Sequence, residues 1–237
     1  MMRPLSMIAL LCALFVASLP AQDNHFGVGA TFGTPGPGVQ AAVKLNRISN
    51  IRASFDFFSF GDSLSQSGIN YNYDLRLRSF GVMYDMFPLG GGFHISPGLW
   101  IHDGNRVAVT GAAPTANLFT FNNASYRSSP TDPAHGNGTL SFNSVAPVLT
   151  VGFGNLVPRN GKHWTFPIEA GFAYQGDPNV TMNILGSVCD ATGRNCRAVT
   201  ADPTVQSNIA DERRKLQDNA SFARFYPIVS FGVGFSF

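Results

Sequence analysis

The chain has 237 residues, of which 13% are charged, with 16 Lys and Arg against 14 Asp and Glu and a formal net charge of +2. A balance this sparse and even, with no basic block, excludes a nucleic-acid partner of the usual electrostatic kind. Past the first residues no stretch approaches the roughly 20 continuous apolar residues of a spanning helix, so any membrane must be crossed by strands.

The N-terminus reads as a secretory leader. Arg3 precedes an apolar run from Leu5 to Leu19, followed by Pro20-Ala21-Gln22-Asp23, which is the order of basic, hydrophobic and small-residue regions in a signal peptide. Cleavage after Ala21 is expected, leaving residues 22–237 as a single domain. Leu11 occupies the position before Cys12 where a lipoprotein signal needs a small residue, so lipidation is not expected.

Period-2 alternation, the mark of a strand with one apolar face, then recurs eight times. The first strand sets Phe26, Val28, Ala30 and Phe32 against Gly27, Gly29, Thr31 and Gly33, and Thr34-Pro35-Gly36-Pro37 turns the chain. The second sets Val39, Ala41, Val43 and Leu45 against Gln40, Ala42 and Lys44, and the third Ile51, Ala53, Phe55 and Phe57 against Arg52, Ser54 and Asp56. Gly61 to Asn72 reads as a polar loop. The fourth strand carries Phe80, Val82, Tyr84 and Met86 outward, with Ser79, Met83 and Asp85 inward. The reversed polarity of Leu75 and Leu77 against Arg76 and Arg78 predicts a bulge near Arg78 and Ser79. After the turn at Pro88 to Gly92, the fifth strand points His94, Ser96, Gly98, Trp100 and His102 inward.

A long Asn/Ser/Thr/Pro-rich loop is expected from Gly111 to Gly138, then a sixth strand with Val145, Pro147, Leu149, Val151 and Phe153 outward. Pro158 to Lys162 reads as a short turn before the seventh strand, Trp164 to Tyr174, whose parity resumes in Val180, Met182 and Ile184 beyond the bilayer. Cys189 and Cys196 are expected to form a local disulfide in an exported protein, and the absence of His from the segment argues against a metal site. Asp202, Pro203 and a thin stripe of Val205, Ile209 and Leu216 predict a helix from Asp202 to Asp218, read as a solvated element of the last loop, with a lid or plug as the alternative. Phe225, Val229, Phe231, Val233, Phe235 and Phe237 give the eighth strand its apolar face.

The end of the chain resembles the C-terminal targeting signal of bacterial outer-membrane barrels: Ser230, Gly232, Phe235 and Phe237 match its polar, glycine, hydrophobic and aromatic positions. The resemblance implies recognition by the barrel-assembly machinery and a last strand ending in the periplasm. Connections after strands two, four and six are short and those after three, five and seven long, as barrels with periplasmic turns and extracellular loops require. The fold class expected is therefore all-β: an eight-stranded antiparallel transmembrane β-barrel with one short helix in the last extracellular loop.

The segments Gly33-Thr34-Pro35-Gly36-Pro37-Gly38-Val39, Lys44-Leu45-Asn46, Ile51-Arg52-Ala53, Tyr84-Asp85-Met86-Phe87-Pro88 with Gly90 to Gly92, and Phe225-Tyr226-Pro227 resemble a largely uncharacterised group of small Gram-negative barrels. These are similar in manner to the OmpA membrane domain and the OmpW-like proteins. The resemblance implies a cell outer-membrane location, contact with outer-membrane lipid and lipopolysaccharide, and a monomer. No peptidoglycan-binding domain is expected after Phe237.

The inward parity collects Lys44, Arg52, Asp56, Asp85, His94, His102, Glu169 and Arg224. Charges in an interior this narrow must pair, so a sealing ion-pair network is expected, with inward glycines making room for it. A narrow or gated path through the same charges is the alternative, in the OmpW manner a pore for small solutes or hydrophobic molecules. His94-Ile95-Ser96 has the His-x-Ser spacing of lipid A deacylases, but Pro97 follows where they have Asn, and both side chains aim at the lumen. No catalytic site, cofactor or metal is assigned. The role expected is structural or interactive at the cell surface, through loops such as Asn122-Asn123-Ala124-Ser125 and the Cys189 to Cys196 segment.

Overall fold

The computed structural model describes residues 24–66, 69–102, 104–115 and 118–237. The leader, its cleavage site and Cys12 lie outside the described residues. The barrel is built from β1 (Phe26–Gly33), β2 (Gly36–Asn46), β3 (Ser49–Gln66), β4 (Ile69–Met86) and β5 (Phe93–His102). The chain continues through β6 (Arg106–Ala112), β7 (Leu118–Phe121), β8 (Ala124–Ser128) and β9 (His135–Ser141) before β10 (Val145–Phe153), β11 (Trp164–Thr165) and β12 (Ile168–Tyr174). It closes with β13 (Asn179–Leu185), β14 (Ser187–Cys189), β15 (Arg197–Ala198), helix α1 (Pro203–Asn219) and β16 (Phe225–Ser236).

Eight antiparallel strands, in the order β5-β4-β3-β2-β1-β16-β12-β10, return to β5 and close the barrel. The alternation dictates this directly. On β10 every second residue is buried and the others, Val145 to Phe153, are exposed. Closure leaves no unpaired edge in the barrel wall. The first and last strands zip together from Gly27↔Ser236 to Gly33↔Ser230, and the amide of Phe237 donates to the Phe26 carbonyl at 3.0 Å. The outer wall is apolar throughout: Phe32, Val39, Phe55, Phe80, Leu99, Val151, Ile168 and Phe231 are all exposed. A belt so continuous belongs against hydrocarbon, not water. Among the described residues no helix is long and apolar enough to cross a membrane.

At the end of the barrel carrying the chain termini, here the near end, aromatic pairs ring the wall. Trp164 meets Phe235 at 5.2 Å, Phe93 meets Phe153 at 5.5 Å and Phe26 stacks on Phe237 at 6.4 Å. The seventh strand, expected unbroken from Trp164 to Tyr174, is interrupted at Phe166-Pro167, because Pro167 has no amide to give the ladder. Its carbonyl still accepts from Gly232 at 2.8 Å.

The far end departs from the sequence expectation. Of the polar loop expected from Gly61 to Asn72, residues 61–66 and 69–72 are strand: β3 and β4 pair without a register break from Ser49↔Met86 to Gln66↔Ile69. No bulge interrupts β4 near Arg78 and Ser79. The irregularity lies on its other side, where the pairing shifts register between Ser79↔His102 and Arg76↔Arg106. The polarity reverses because the strand leaves the lipid belt there, so its outer face becomes polar. The long loop expected from Gly111 to Gly138 also carries strands among its described residues. β6, β9 and β13 extend β4 into a sheet above the barrel, and β7 and β8 form a hairpin on Asn122-Asn123. Both Asn residues have positive φ, 46° and 65°, as a two-residue hairpin turn requires.

Helix α1 is not merely solvated. Asp202 caps it, accepting from the Thr204 and Val205 amides at 2.9 and 3.2 Å, and those bonds hold its carboxyl below the ordinary range. Val205 and Ile209 are buried with Phe119, Val188 and Val199, and Met182 and Ile184 of β13 pack on that cluster. Gln217 holds the β13 edge from the helix side, accepting from the Val180 amide at 2.9 Å and donating to the Pro178 carbonyl. Only Leu216 of the expected stripe is exposed.

The disulfide Cys189–Cys196 is formed. Inside its loop, the Asp190 carboxylate accepts from the Thr192 hydroxyl and amide, the Arg194 amide and the Asn195 side chain. These bonds, the Thr192 hydroxyl first, lower its pKa from 3.8 to about 2. A depressed carboxyl stabilises its fold above its unfolded pKa and loses that contribution as pH falls through the folded value. The loop should therefore stay ordered at pH 5 and loosen between pH 4 and 2, and Asp190→Ala should loosen it at neutral pH. Faster hydrogen exchange at the Thr192 and Arg194 amides is the readout.

Candidate functional site: the barrel lumen

The inward residues stack in layers along the barrel. At the near end Ala42 meets Leu156 and Val157, all buried, which are carried inward by the chain between β10 and β11. Asn155 pins this segment, its Oδ1 accepting from Asn50 Nδ2 and from the Val157 amide at 2.9 Å each. Arg159 ties it to the barrel rim. Its guanidinium donates to the carbonyls of Val157, Asn46 and Ser49 and to Asn50 Oδ1 at 2.7 to 3.0 Å, and lies 5.1 Å over the buried Phe87 ring. The chain just before the expected turn at Pro158 to Lys162 is thus a cork. A Cβ at Gly27 would overlap the Leu156 carbonyl, and one at Gly234 the Leu156 side chain. Those inward glycines make room for the cork, not for long charged side chains.

Above the cork lies a charge cluster. Arg52 donates from Nε and Nη2 to Asp85 at 2.9 Å each, from Nη1 to Glu169 Oε1 at 2.7 Å, and from Nη1 to Gln40 Oε1 at 3.0 Å. Ser96 donates to Asp85 Oδ1 at 2.6 Å and Thr150 to Glu169 Oε2 at 3.2 Å. His94 Nε2 stands 3.5 Å from Glu169 Oε1, without a hydrogen bond, and its ring lies 5.5 Å from Phe87. Arg52, Asp85, His94, Ser96 and Glu169 are all buried. Gly152 leaves the space that Glu169 and His94 occupy. One guanidinium therefore holds two carboxylates whose remaining lone pairs are met by hydroxyls, the condition under which a buried ion pair is tolerated.

The outcome for the other expected members differs. Asp56 is buried higher up and, among the described residues, makes no ion pair; with Thr31, Gln40, Arg52, Trp100 and Glu169 it lines a cavity of about 30 Å³, room for about two waters. Lys44 stands near the rim, where its amide donates to His25. Arg224 lies outside the lumen, paired with Asp177 at the far end. Both were assigned to the network by parity, but Lys44 sits below the cluster and Arg224 falls in a short 3-10 turn ahead of β16. His102 forms a separate buried group, its Nδ1 within 3.0 Å of Ser79 Oγ and 2.9 Å of Asn105 Nδ2. Met83, Trp100, Ala146, Val148, Ala173 and Ile228 fill the lumen between these polar layers.

Ser96 is therefore held by Asp85 and His94 by the Gly92 carbonyl, at 3.2 Å from its Nδ1, and not by one another. Sequence reasoning missed Gln40, Asn50, Phe87, Thr150 and the whole Asn155 to Arg159 segment. The adjacent apolar Leu156 and Val157 inside a turn were the available signal.

No family model matches the chain, and no curated protein does. Two solved structures share its architecture. The chain has the fold of CarO. The crystal structure of Acinetobacter baumannii CarO superposes with a TM-score of 0.56 at 22% identity, covering 92% of this chain and 98% of that one. That of Acinetobacter baumannii CarO2 gives 0.56 at 21% identity, covering 91% and 100%.

Arg52→Met should destabilise the barrel by about 3–5 kcal/mol, because Asp85 and Glu169 are left buried without a cation. Adding Asp85→Asn and Glu169→Gln should recover most of that loss. Urea unfolding in micelles, followed through Trp100 fluorescence, measures both.

Proposed function

We propose that the protein is a closed outer-membrane barrel that anchors an ordered surface domain, with a structural or surface-interaction role and no catalytic site. The observation that carries this reading is the filled lumen: the Leu156-Val157 cork and the Arg52 cluster occupy consecutive layers of an eight-stranded interior, which is only about as wide as the side chains that fill it. The apolar belt and the near-end aromatic ring support insertion in a bilayer. The leader and the match of Ser230, Gly232, Phe235 and Phe237 to a barrel-insertion signal support the outer membrane and delivery by the barrel-assembly machinery. In this setting the near end faces the periplasm. The sheet above the barrel, the β7–β8 hairpin, α1 and the disulfide loop face outward, a larger surface for partners than loose loops would give. The motif resemblance to OmpA- and OmpW-like barrels agrees with a monomer that needs no cofactor.

A narrow pore is the second reading, favoured by the cavity beside Arg52, where Asp56 and Glu169 bring two carboxylates to its lining. Single-channel recording of the refolded mature protein in a planar bilayer separates the two. A silent membrane holding correctly folded barrel is expected. Discrete conductance steps whose ion selectivity reverses in Glu169→Lys would replace the closed barrel with the pore.

A further inference from the structure

The outer wall just above the lipid belt carries a feature that neither the closed lumen nor the surface domain explains. On β4 the outward row Met86, Tyr84, Val82, Phe80 is apolar and then turns to Arg78 and Arg76. On β3 alongside, the row Ile51, Ala53, Phe55, Phe57 gives way to Ser59, the partner of Arg76. Arg78 stands level with Phe57, the last apolar residue of that row, and two residues of strand rise about 7 Å, so Arg76 stands one step above the belt, at headgroup height. Arg76 lies directly opposite Arg106 of β6, and directly opposed residues share a face. Like charges so placed repel unless an anion joins them. Asp74 takes up one guanidinium edge, accepting from Arg76 Nε at 2.8 Å and Nη2 at 3.1 Å. Arg106 is exposed and, among the described residues, enters no ion pair. Beside and above Asp74 the same face carries amides and hydroxyls: Asn72 with Thr110 on β6, Asn137 and Thr139 on β9, and Asn183 on β13.

We infer that Arg76 and Arg106, with Arg78 beneath them, bind a phosphate of an outer-leaflet glycolipid, and that the amide and hydroxyl wall meets its sugars. The inference rests on the outer-membrane reading above. The guanidinium fork matches phosphate oxygens in geometry and charge, and a phosphate between Arg76 and Arg106 relieves their repulsion. An acyl glycolipid anchored beside Phe57 and Phe80 presents its phosphate at that height. Sugar hydroxyls, unlike the small headgroup of a phospholipid, reach the Asn and Thr residues higher on the wall.

The test is affinity of the refolded mature barrel, in detergent micelles, for bisphosphorylated lipid A, for the same lipid with its phosphates removed, and for inorganic phosphate. Each basic side chain at an anionic lipid surface contributes roughly fivefold. Arg76→Gln with Arg106→Gln should thus weaken lipid A binding about 30-fold and leave binding of the phosphate-free lipid unchanged. Arg213→Gln with Lys215→Gln, on the exposed face of α1, should leave lipid A affinity at the parent value. Arg106→Gln alone should give an intermediate loss, and its exposed position keeps the test open if the double variant folds poorly. Equal affinity in parent and arginine variants overturns the site, as does an equal loss in the α1 variant, which would mean general charge. Inorganic phosphate binding as tightly as lipid A overturns the lipid assignment in favour of a free-anion site. A parent barrel that fails to insert into vesicles overturns the membrane reading and this site with it, whereas normal insertion without a phosphate preference overturns the site alone.

Discussion

Arg52 holds the lumen together. Its guanidinium bridges Asp85 on the neighbouring β4 and Glu169 on β12, the strand opposite its own β3 in the closed barrel. Buried carboxylates without a cation would be costly. The positions of Gln40, Ser96, Thr150 and His94 follow from that one contact, since each satisfies or flanks a group that Arg52 has drawn inward. Gly152 follows too, because the Glu169 side chain needs its space.

The cork obeys a related constraint. The chain between β10 and β11 turns inward because Leu156 and Val157 are apolar and the near-end lumen is the nearest place away from both water and lipid. Their backbone is then buried and must find partners, which Asn155 and Arg159 supply. Polar layer, apolar filling and cork together leave little of the interior open, and an ordered domain stands above the barrel at its far end. That domain is continuous with the barrel: β3 and β4 pass from lipid to water without a break, and β6, β9 and β13 extend them sideways until α1 covers the last edge. A sheet edge covered by a helix is protected against strand addition.

Much of this was legible in the residues. Strict alternation from Val145 to Phe153 or from Phe225 to Phe237 specifies a strand with one lipid face, and a one-residue slip would turn every apolar side chain into the lumen. Arg52, Asp85 and Glu169 were marked by charge on the inward parity. Asp202 and Pro203 marked the helix start. The far-end strands were illegible as such because their faces reverse polarity where the solvent changes: Leu75 and Leu77 turn inward while Arg76 and Arg78 face out, and a reader of periodicity takes that for a slip. Asn122-Asn123 was a readable hairpin signal, but β8 pairs with β14 and β7 packs on α1, both far along the chain.

The sequence by itself determined the barrel, its strand number and which residues of each strand share a face, because those depend on local periodicity, while the charges on one parity and the terminal signal oriented the faces. Only the tertiary structure decided which inward charges meet, that Lys44 and Arg224 do not join Arg52, and that Leu156 closes the near end. Those outcomes depend on strand register across the barrel and on long-range contacts such as Asn50 with Asn155, and neither distance is written in the spacing of residues along one strand.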